Sequence, residues 1–436
     1  MSASTISSAS TVLPDKADLA YRLARLFLLV LIVVMPMEAI TAVREIGLVG
    51  VTALVTLHWA LSPDRRLKAT PLWLPLAIYI VTALFSLYTA VDFKYTLREL
   101  RAEVLKGLLM YYAAVHFVHH ERHLSQCWSA LCLCAAVMAV AGFAFFATYG
   151  GSPFSPFVRA SSLHSGYGAY GTYLVQVWPY LLLTPLAFSN RRWLPLWACL
   201  ILVNAVIAYF TFSRACWIAM VLELGLCILV LGRHRLRNAL IASLACLVIL
   251  GVLFSAPGSR HGETWHKLWE EPQAVGGTAG DLLALWRFSL AELKDHPFRG
   301  IGLGRHSFSK TFEEFRQKHQ PLLWHAHNTF LDLALQMGVQ GLVGIVAIML
   351  TLVVVLWPHA PPARGDVAGL FGTATAVMVL GFCLRNMFDD FFVDDNSLFF
   401  WLLTGLAMGA RGLAARGSEP SPTAYWGAAG KGVGKA

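Results

Sequence analysis

The sequence predicts an all-α, polytopic membrane protein with about twelve transmembrane helices and one large helical loop on the outer face. Three observations carry that prediction. Hydrophobic residues make up 57% of the 436, above the roughly 45–50% of ordinary soluble domains. Charged residues are only 14%, where about 25% is usual. A soluble fold of this size cannot hide so much apolar surface behind so few charges. The third observation is arrangement: apolar runs near the roughly 20 residues needed to cross a bilayer alternate with short connections that hold most of the Lys and Arg. The net charge of +9 therefore reads as membrane topology rather than as affinity for nucleic acid. No zinc spacing and no nucleic-acid motif is present, so membrane lipids are the expected surroundings.

In chain order, residues 1–19 are rich in Ser, Thr and Ala and read as a disordered cytoplasmic tail. The transmembrane domain spans 20–410. Its first apolar run, 21–37, reads as a retained span rather than a cleaved signal. Further spans are expected near 46–61, 71–89, 104–118, 125–148, 166–188, 193–211, 216–231, 239–255, 328–356, 367–384 and 391–410. Residues 411–436 form a second cytoplasmic tail. With the N-terminus inside, the inner segments hold roughly seventeen Lys and Arg and the short outer ones about seven, which orients both termini to the cytoplasm. The cysteines lie in or beside apolar runs and imply core thiols, not a disulfide framework.

The one long hydrophilic stretch, 256–327, then faces outward. It is too long for a simple connector. Leu283, Trp286, Leu290 and Leu293 repeat at helical spacing, as do Phe308, Phe312 and Phe315. Between them, residues 296–304 (HPFRGIGLG) form a turn-rich break. The loop reads as a small helical cap.

Chemistry concentrates where this loop re-enters the membrane, at Trp324-His325-Ala326-His327-Asn328. Asn328 is a strong N-cap, which places His327 beside a helix N-terminus. The positive end of the helix dipole disfavours imidazolium, and a neutral imidazole can serve as general base. Asn328, Asp332 and Gln336 fall at i, i+4 and i+8, a polar stripe on a membrane helix of the kind that marks function. The plainer reading is a capped helix with an interfacial histidine. A metal held by His325 and His327 is disfavoured, since no third ligand stands at metal spacing in the sequence, and no cofactor is expected.

Arginines are the second group. Arg214 lies in a tight outer hairpin and Arg287 beside the apolar stripe of the first loop helix. Each is suited to bidentate phosphate binding, although an arginine on an apolar face also simply snorkels. Arg159 lies on the same face. Arg98, Arg101 and Lys106 share an amphipathic stretch with Glu99 and Glu103, either as surface ion pairs or as contacts to anionic headgroups. Asp389, Asp390, Asp394 and Asp395 read as a solvated acidic turn, with divalent-cation binding as the rival. Gly300, Gly302 and Gly304 are turn glycines; no strand precedes them to make a nucleotide fingerprint.

Taken together, the late outer loop with Arg287, the 296–304 segment, His327-Asn328-Thr329-Phe330-Leu331 and the following Gln336-Met337-Gly338-Val339-Gln340-Gly341-Leu342 resemble the O-antigen ligase and polymerase superfamily of bacterial inner membranes. The specific signal covers roughly 270–345. In the ligase branch an outer-hairpin Arg, a loop Arg and the loop-terminal His are functional, and Arg214, Arg287 and His327 stand in those places. One departure is Gln336 where the family often has Glu before x-Gly.

The resemblance implies a glycosyltransferase that moves O-antigen polysaccharide from undecaprenyl diphosphate to the lipid A-core oligosaccharide at the periplasmic face. Inversion without a metal is the implied chemistry, with His327 as base, Arg214 and Arg287 on the diphosphate, and Asn328, Asp332, His325, Arg98, Arg101 and Arg159 in support. An O-antigen polymerase or a protein O-oligosaccharyltransferase shares the donor and differs in acceptor. A transporter is the rival from another class; sparse intramembrane polar residues and the lack of matching broken helices argue against it.

Overall fold

The computed structural model describes residues 16–62, 67–188, 190–232, 278–318 and 324–417, with the single positions 237, 238, 241 and 244. Among them it is helical throughout, with one isolated β-bridge and no strands. The helices are α1 (Lys16–Val34), α2 (Thr41–Leu61), α3 (Trp73–Thr89), α4 (Phe93–Glu99), α5 (Lys106–Phe117), α6 (Glu121–Thr148), α7 (Tyr167–Ala187), α8 (Leu194–Phe210) and α9 (Arg214–Leu231). After these come α10 (Thr278–Asp295), α11 (His306–Thr311), α12 (Glu313–Lys318), α13 (Thr329–Met337), α14 (Val339–Leu356), α15 (Val367–Asn386) and α16 (Asp394–Gly417).

Six described helices are long and apolar enough to cross a bilayer: Glu38–Leu61, Glu121–Thr148, Arg191–Phe210, Arg214–Leu231, Val339–Leu356 and Val367–Asn386. The shorter apolar α3 and the helices α1, α5, α7 and α16 pack into the same bundle. The protein is an all-α, polytopic membrane protein. Every expected span coincides with described helix except two. The 239–255 span lies outside the described residues except for positions 241 and 244. The 328–356 span is not one helix but two.

That break has a local cause. Gly338 sits at φ 79°, a left-handed conformation open to glycine at little cost. It ends the nine-residue α13 and starts α14. The stripe of Asn328, Asp332 and Gln336 therefore belongs to a short helix that packs under the cap and against α3, not to a membrane-crossing helix.

α15 is the axis of the bundle, packed by α7, α9, α14 and α16. Backbones approach closely where glycines allow it. A Cβ on Gly405 would meet the Tyr111 carbonyl at 2.8 Å and one on Gly409 the Val115 carbonyl at 2.8 Å. Gly405 and Gly409 thus form a small-xxx-small face that seats α16 on α5. The described cysteines are free thiols.

The cap rests on the bundle end that carries His327. The expected stripe on α10 is rotated: Leu285 and Ser289 are buried, while Leu290 is 53% exposed. Leu285 joins Phe308, Ala326 and Leu335 in a small separate core, with Phe288, Phe312 and Phe315 packed on it. The second expected loop helix breaks at Phe312 into α11 and α12. The turn between the cap helices needs its glycines. Gly302 and Gly304 have φ of 103° and 115°, and a Cβ on Gly300 would strike the Gln336 carbonyl at 2.2 Å.

Candidate active site

The site begins with the cap of α13. Asn328 Oδ1 accepts the backbone N–H groups of Phe330 and Leu331, at 3.0 and 3.1 Å, satisfying donors that the first helical turn leaves open. Its amide donates to the Met387 carbonyl at 3.0 Å, tying α13 to the α15–α16 turn. His327, just before the cap, has φ 46°. A non-glycine residue held left-handed is strained, and such strain collects at functional sites.

The α15–α16 turn supplies the partner. His327 Nδ1 lies 3.1 Å from Asp389 Oδ1, and His325 Nε2 lies 3.8 Å from the same atom. The backbone N–H of Asp390 also donates to it, at 2.9 Å. Burial alone would raise the Asp389 carboxyl. The His327 hydrogen bond and the Arg385 charge outweigh it and hold the group at about 2.

These contacts fix the tautomers. The N–H of His327 donates to His325 Nδ1 at 3.1 Å. An accepting nitrogen carries no proton, so neutral His325 holds its proton on Nε2, facing Asp389. Burial, then repulsion from His327, pushes His325 down to about 2, which keeps it neutral. An ionised Asp389 only accepts, so His327 Nδ1 is the donor. The lone pair of His327 is left on Nε2. His327 is partly exposed while His325 is buried, so it is the His327 ring that can meet a substrate.

Beneath the two rings lies a second pair of carboxyls. Asp332 Oδ1 accepts the Ala326 N–H at 3.0 Å, and its Oδ2 accepts the Gln336 amide at 2.6 Å. Asp390 Oδ1 accepts from Thr329 Oγ1 at 2.7 Å. Burial and then the Asp390 charge push Asp332 well above the usual carboxylate range, and burial raises Asp390 as well. Gln336 fits this setting: its Oε1 also accepts the Gly304 N–H at 2.7 Å. An amide gives one donor and one acceptor at that spacing. A glutamate would offer acceptors only.

Arg305 completes this floor. It donates to the Asp390 carbonyl at 3.1 Å, stands 3.8 Å from Asp394 and lies 4.9 Å from the Trp324 ring centre. Its only sequence signal is its place directly after Gly304. The acidic turn is correspondingly not solvated, contrary to expectation. Asp390 is buried, Asp395 pairs with Arg44, and only Asp394 is widely exposed. The reason is that the turn folds back under the loop ahead of α13, where cations and amide donors meet it.

The expected arginines form a neighbouring group. Arg159 lies over the Tyr167 ring, 4.4 Å from its centre. Its loop is tied to the α8–α9 hairpin by the Ala160 N–H, which donates to the Phe210 carbonyl at 2.8 Å. Arg214 opens α9 from that hairpin, exposed, and the Arg159 charge repels it. Next to Tyr167, the Gly168 carbonyl accepts from Arg385 at 3.3 Å. Arg385 is buried and lies 4.6 Å from the Phe391 ring centre. The Arg159–Arg214 group and the His327–Asp389 group thus meet across the first turn of α7.

Arg287 is exposed on α10. The neighbouring Trp286 Nε1 donates to the Ala326 carbonyl at 3.1 Å, which lays α10 beside the histidine loop. Among the described residues no hydrogen bond or ion pair joins Arg287 to Arg214 or to His327. Arg98 and Arg101 are exposed on the α4 side; between α4 and α5 the backbone runs as a π-helix, Leu100–Leu105. Glu103 there accepts the Asp394 N–H at 3.0 Å. The expected surface pairing is with neighbouring elements instead: Lys106 bonds Glu45 at 2.5 Å.

The third metal ligand that sequence spacing lacked is supplied from far along the chain. His325, His327 and Asp389 converge, as do His325, Asp332 and Asp390. The donor protonation fits a metal poorly. Ligation through His325 Nε2 would need the proton on Nδ1, where the His327 N–H already donates.

The arrangement presents an imidazole whose Nδ1 is braced by a carboxylate and whose Nε2 is free to meet a hydroxyl. Residues 197–346 match the family described as O-antigen ligase. The matched stretch takes in the Arg214 hairpin, the cap with Arg287 and the His327–Asn328 cap of α13, and it supports membership of the O-antigen ligase/polymerase superfamily. No curated protein matches the chain.

Proposed function

We propose, with membership of that superfamily as the premise, that this protein is an O-antigen ligase of a bacterial inner membrane. In this reading it transfers O-antigen glycan from undecaprenyl diphosphate to lipid A-core oligosaccharide on the periplasmic side, with both termini in the cytoplasm. The single observation that supports it most is the His327–Asp389 pair, which leaves the Nε2 lone pair of His327 open to an acceptor.

An acceptor sugar hydroxyl approaches His327 Nε2. As its oxygen attacks the anomeric carbon, the proton passes to Nε2, and the imidazolium that forms is stabilised by Asp389. The bond from the anomeric carbon to the diphosphate oxygen breaks, and its electron pair leaves on undecaprenyl diphosphate. Displacement from the opposite face inverts the anomeric centre. Arg214 and Arg287 take the diphosphate charge as it grows, the electrostatic part of catalysis. Because both substrates are lipid-anchored, a site at the end of the helix bundle lets each enter from the membrane. Asn328 and Asp332 position the loop, and His325 braces Asp389 without touching substrate.

The test is reconstitution of purified protein with synthetic undecaprenyl diphosphate glycan, in EDTA, offering lipid A-core, a second glycan-bearing undecaprenyl diphosphate, or a serine-rich peptide. Transfer to lipid A-core alone supports the reading. Transfer to the second donor would make the protein a polymerase, and transfer to the peptide a protein glycosylase. Activity that vanishes in EDTA and returns with Mg2+ would contradict the metal-independent step.

A further inference from the structure

At the bundle end opposite His327, a groove of about 630 Å³ runs between α1 and α6. Its α1 wall is apolar, with Leu29, Val30 and Val33; its α6 wall begins at Arg122 and continues through Gln126 to Leu133. The groove is thus cationic at its mouth and apolar along its length. Arg122 lines the mouth and is exposed, while Arg25, one turn before Leu29 on α1, is half-buried; after burial and His120, both charges act on His123. The nearest acids do little to cancel this. Asp18 is taken by Arg22 at 2.7 Å, and Glu121 alone stands beside Arg122 in the sequence. One turn deeper, the Gln126 side-chain oxygen is buried with no donor from the protein. A buried acceptor left open asks for a donor from a ligand.

We propose that this groove binds an anionic glycerophospholipid of the phosphatidylglycerol type. One acyl chain lies along Leu29, Val33 and Leu133, the phosphate lies between Arg25 and Arg122, and a head-group hydroxyl donates to Gln126. Charge complementarity selects this occupant. A zwitterionic lipid would bring a positive amine against two arginines, and a neutral chain would leave them without a counter-ion. Basic pockets between transmembrane helices recognise anionic head groups in this way. The groove lies at the end of the bundle away from the proposed chemistry, so the inference stands apart from the ligase reading.

The experiment uses the full-length purified protein in phosphatidylcholine nanodiscs with a phosphatidylglycerol carrying a photoreactive acyl chain. Adducts are mapped by peptide mass spectrometry. Adducts should concentrate on 29–34 and 125–133. Unlabelled phosphatidylglycerol should compete about thirtyfold better than added phosphatidylcholine analogue, the preference expected from two arginine contacts to an anionic head group. The double variant Arg25→Gln/Arg122→Gln should lose that preference, and Ala130→Trp should fill the groove and abolish the local adducts. Equal competition by the two lipids, adducts spread evenly over other helices, or displacement by inorganic phosphate alone would overturn the proposal. The wild-type competition decides the matter even if a variant fails to fold.

Discussion

Replacing Asp389 by asparagine isolates what the carboxylate does for His327. The exchange keeps the shape and leaves an oxygen able to accept from His327 Nδ1, so the ring orientation can survive. It removes the negative charge that faces the imidazolium formed as the acceptor proton is taken. A neutral hydrogen bond in place of a charge-assisted one loses about 1–1.5 kcal/mol, which sets a floor near tenfold in rate. The Coulomb attraction at 3.1 Å, taken at an effective dielectric of about 20, is about 5 kcal/mol, which sets a ceiling of several thousandfold. The loss should appear in kcat, with the KM for donor changed little, because Asp389 acts on charge that exists only in the transition state. The assay is single-turnover transfer of a fluorescent glycan to lipid A-core at matched protein levels in proteoliposomes. Asp389→Asn within twofold of wild type would refute the bracing role. The Asp389 contact would then be structural alone.

Three further expectations follow from the same geometry. Arg214→Ala and Arg287→Ala should each weaken donor use about ten- to a hundredfold, with Lys a poor substitute because it lacks the planar fork; wild-type transfer by both would exclude them from the diphosphate. His325 is buried neutral with its pKa pushed down to about 2, whereas the unfolded chain protonates near 6.5. Folded protein then binds fewer protons than unfolded, so stability should fall as pH drops below about 6.5; melting of detergent-solubilised wild type and His325→Ala between pH 7.5 and 5 should show a shallower slope for the variant. Cysteine placed at the exposed Leu290, in a chain stripped of its own cysteines, should react with a membrane-impermeant thiol reagent from the periplasmic side; reaction only after the cytoplasmic face is opened would reverse the topology.

The fold class was legible because it rests on composition and on apolar run length, which act over whole segments. The N-cap of α13 was legible too, since Asn328 acts on residues two and three places on. What escaped the sequence depends on long-range closure or on a single backbone angle. The join of Asp389 to His327 crosses 62 residues, and nothing in the local pattern separates it from a solvated acidic turn. The break at Gly338 turns on one positive φ inside an apolar run that otherwise reads as continuous. The stripe on α10 was misplaced because both Leu283 and Leu285 fit a helical period, and only the position of Ala326 and Phe308 selects Leu285. Arg305 and Arg385 carry no motif of their own. They matter because the turn before α11 brings Arg305 to Asp390 and Asp394, and the end of α15 brings the Arg385 charge to Asp389.

The central claim is that His327 takes the acceptor proton. The most direct measurement pairs donor binding with transfer in His327→Ala. The variant should bind the undecaprenyl diphosphate glycan with the affinity of the wild type, reach the membrane at equal level, and transfer about 10²- to 10⁴-fold more slowly. Transfer at more than about a tenth of the wild-type rate would contradict the account and leave His327 as a neighbour of the Asn328 cap.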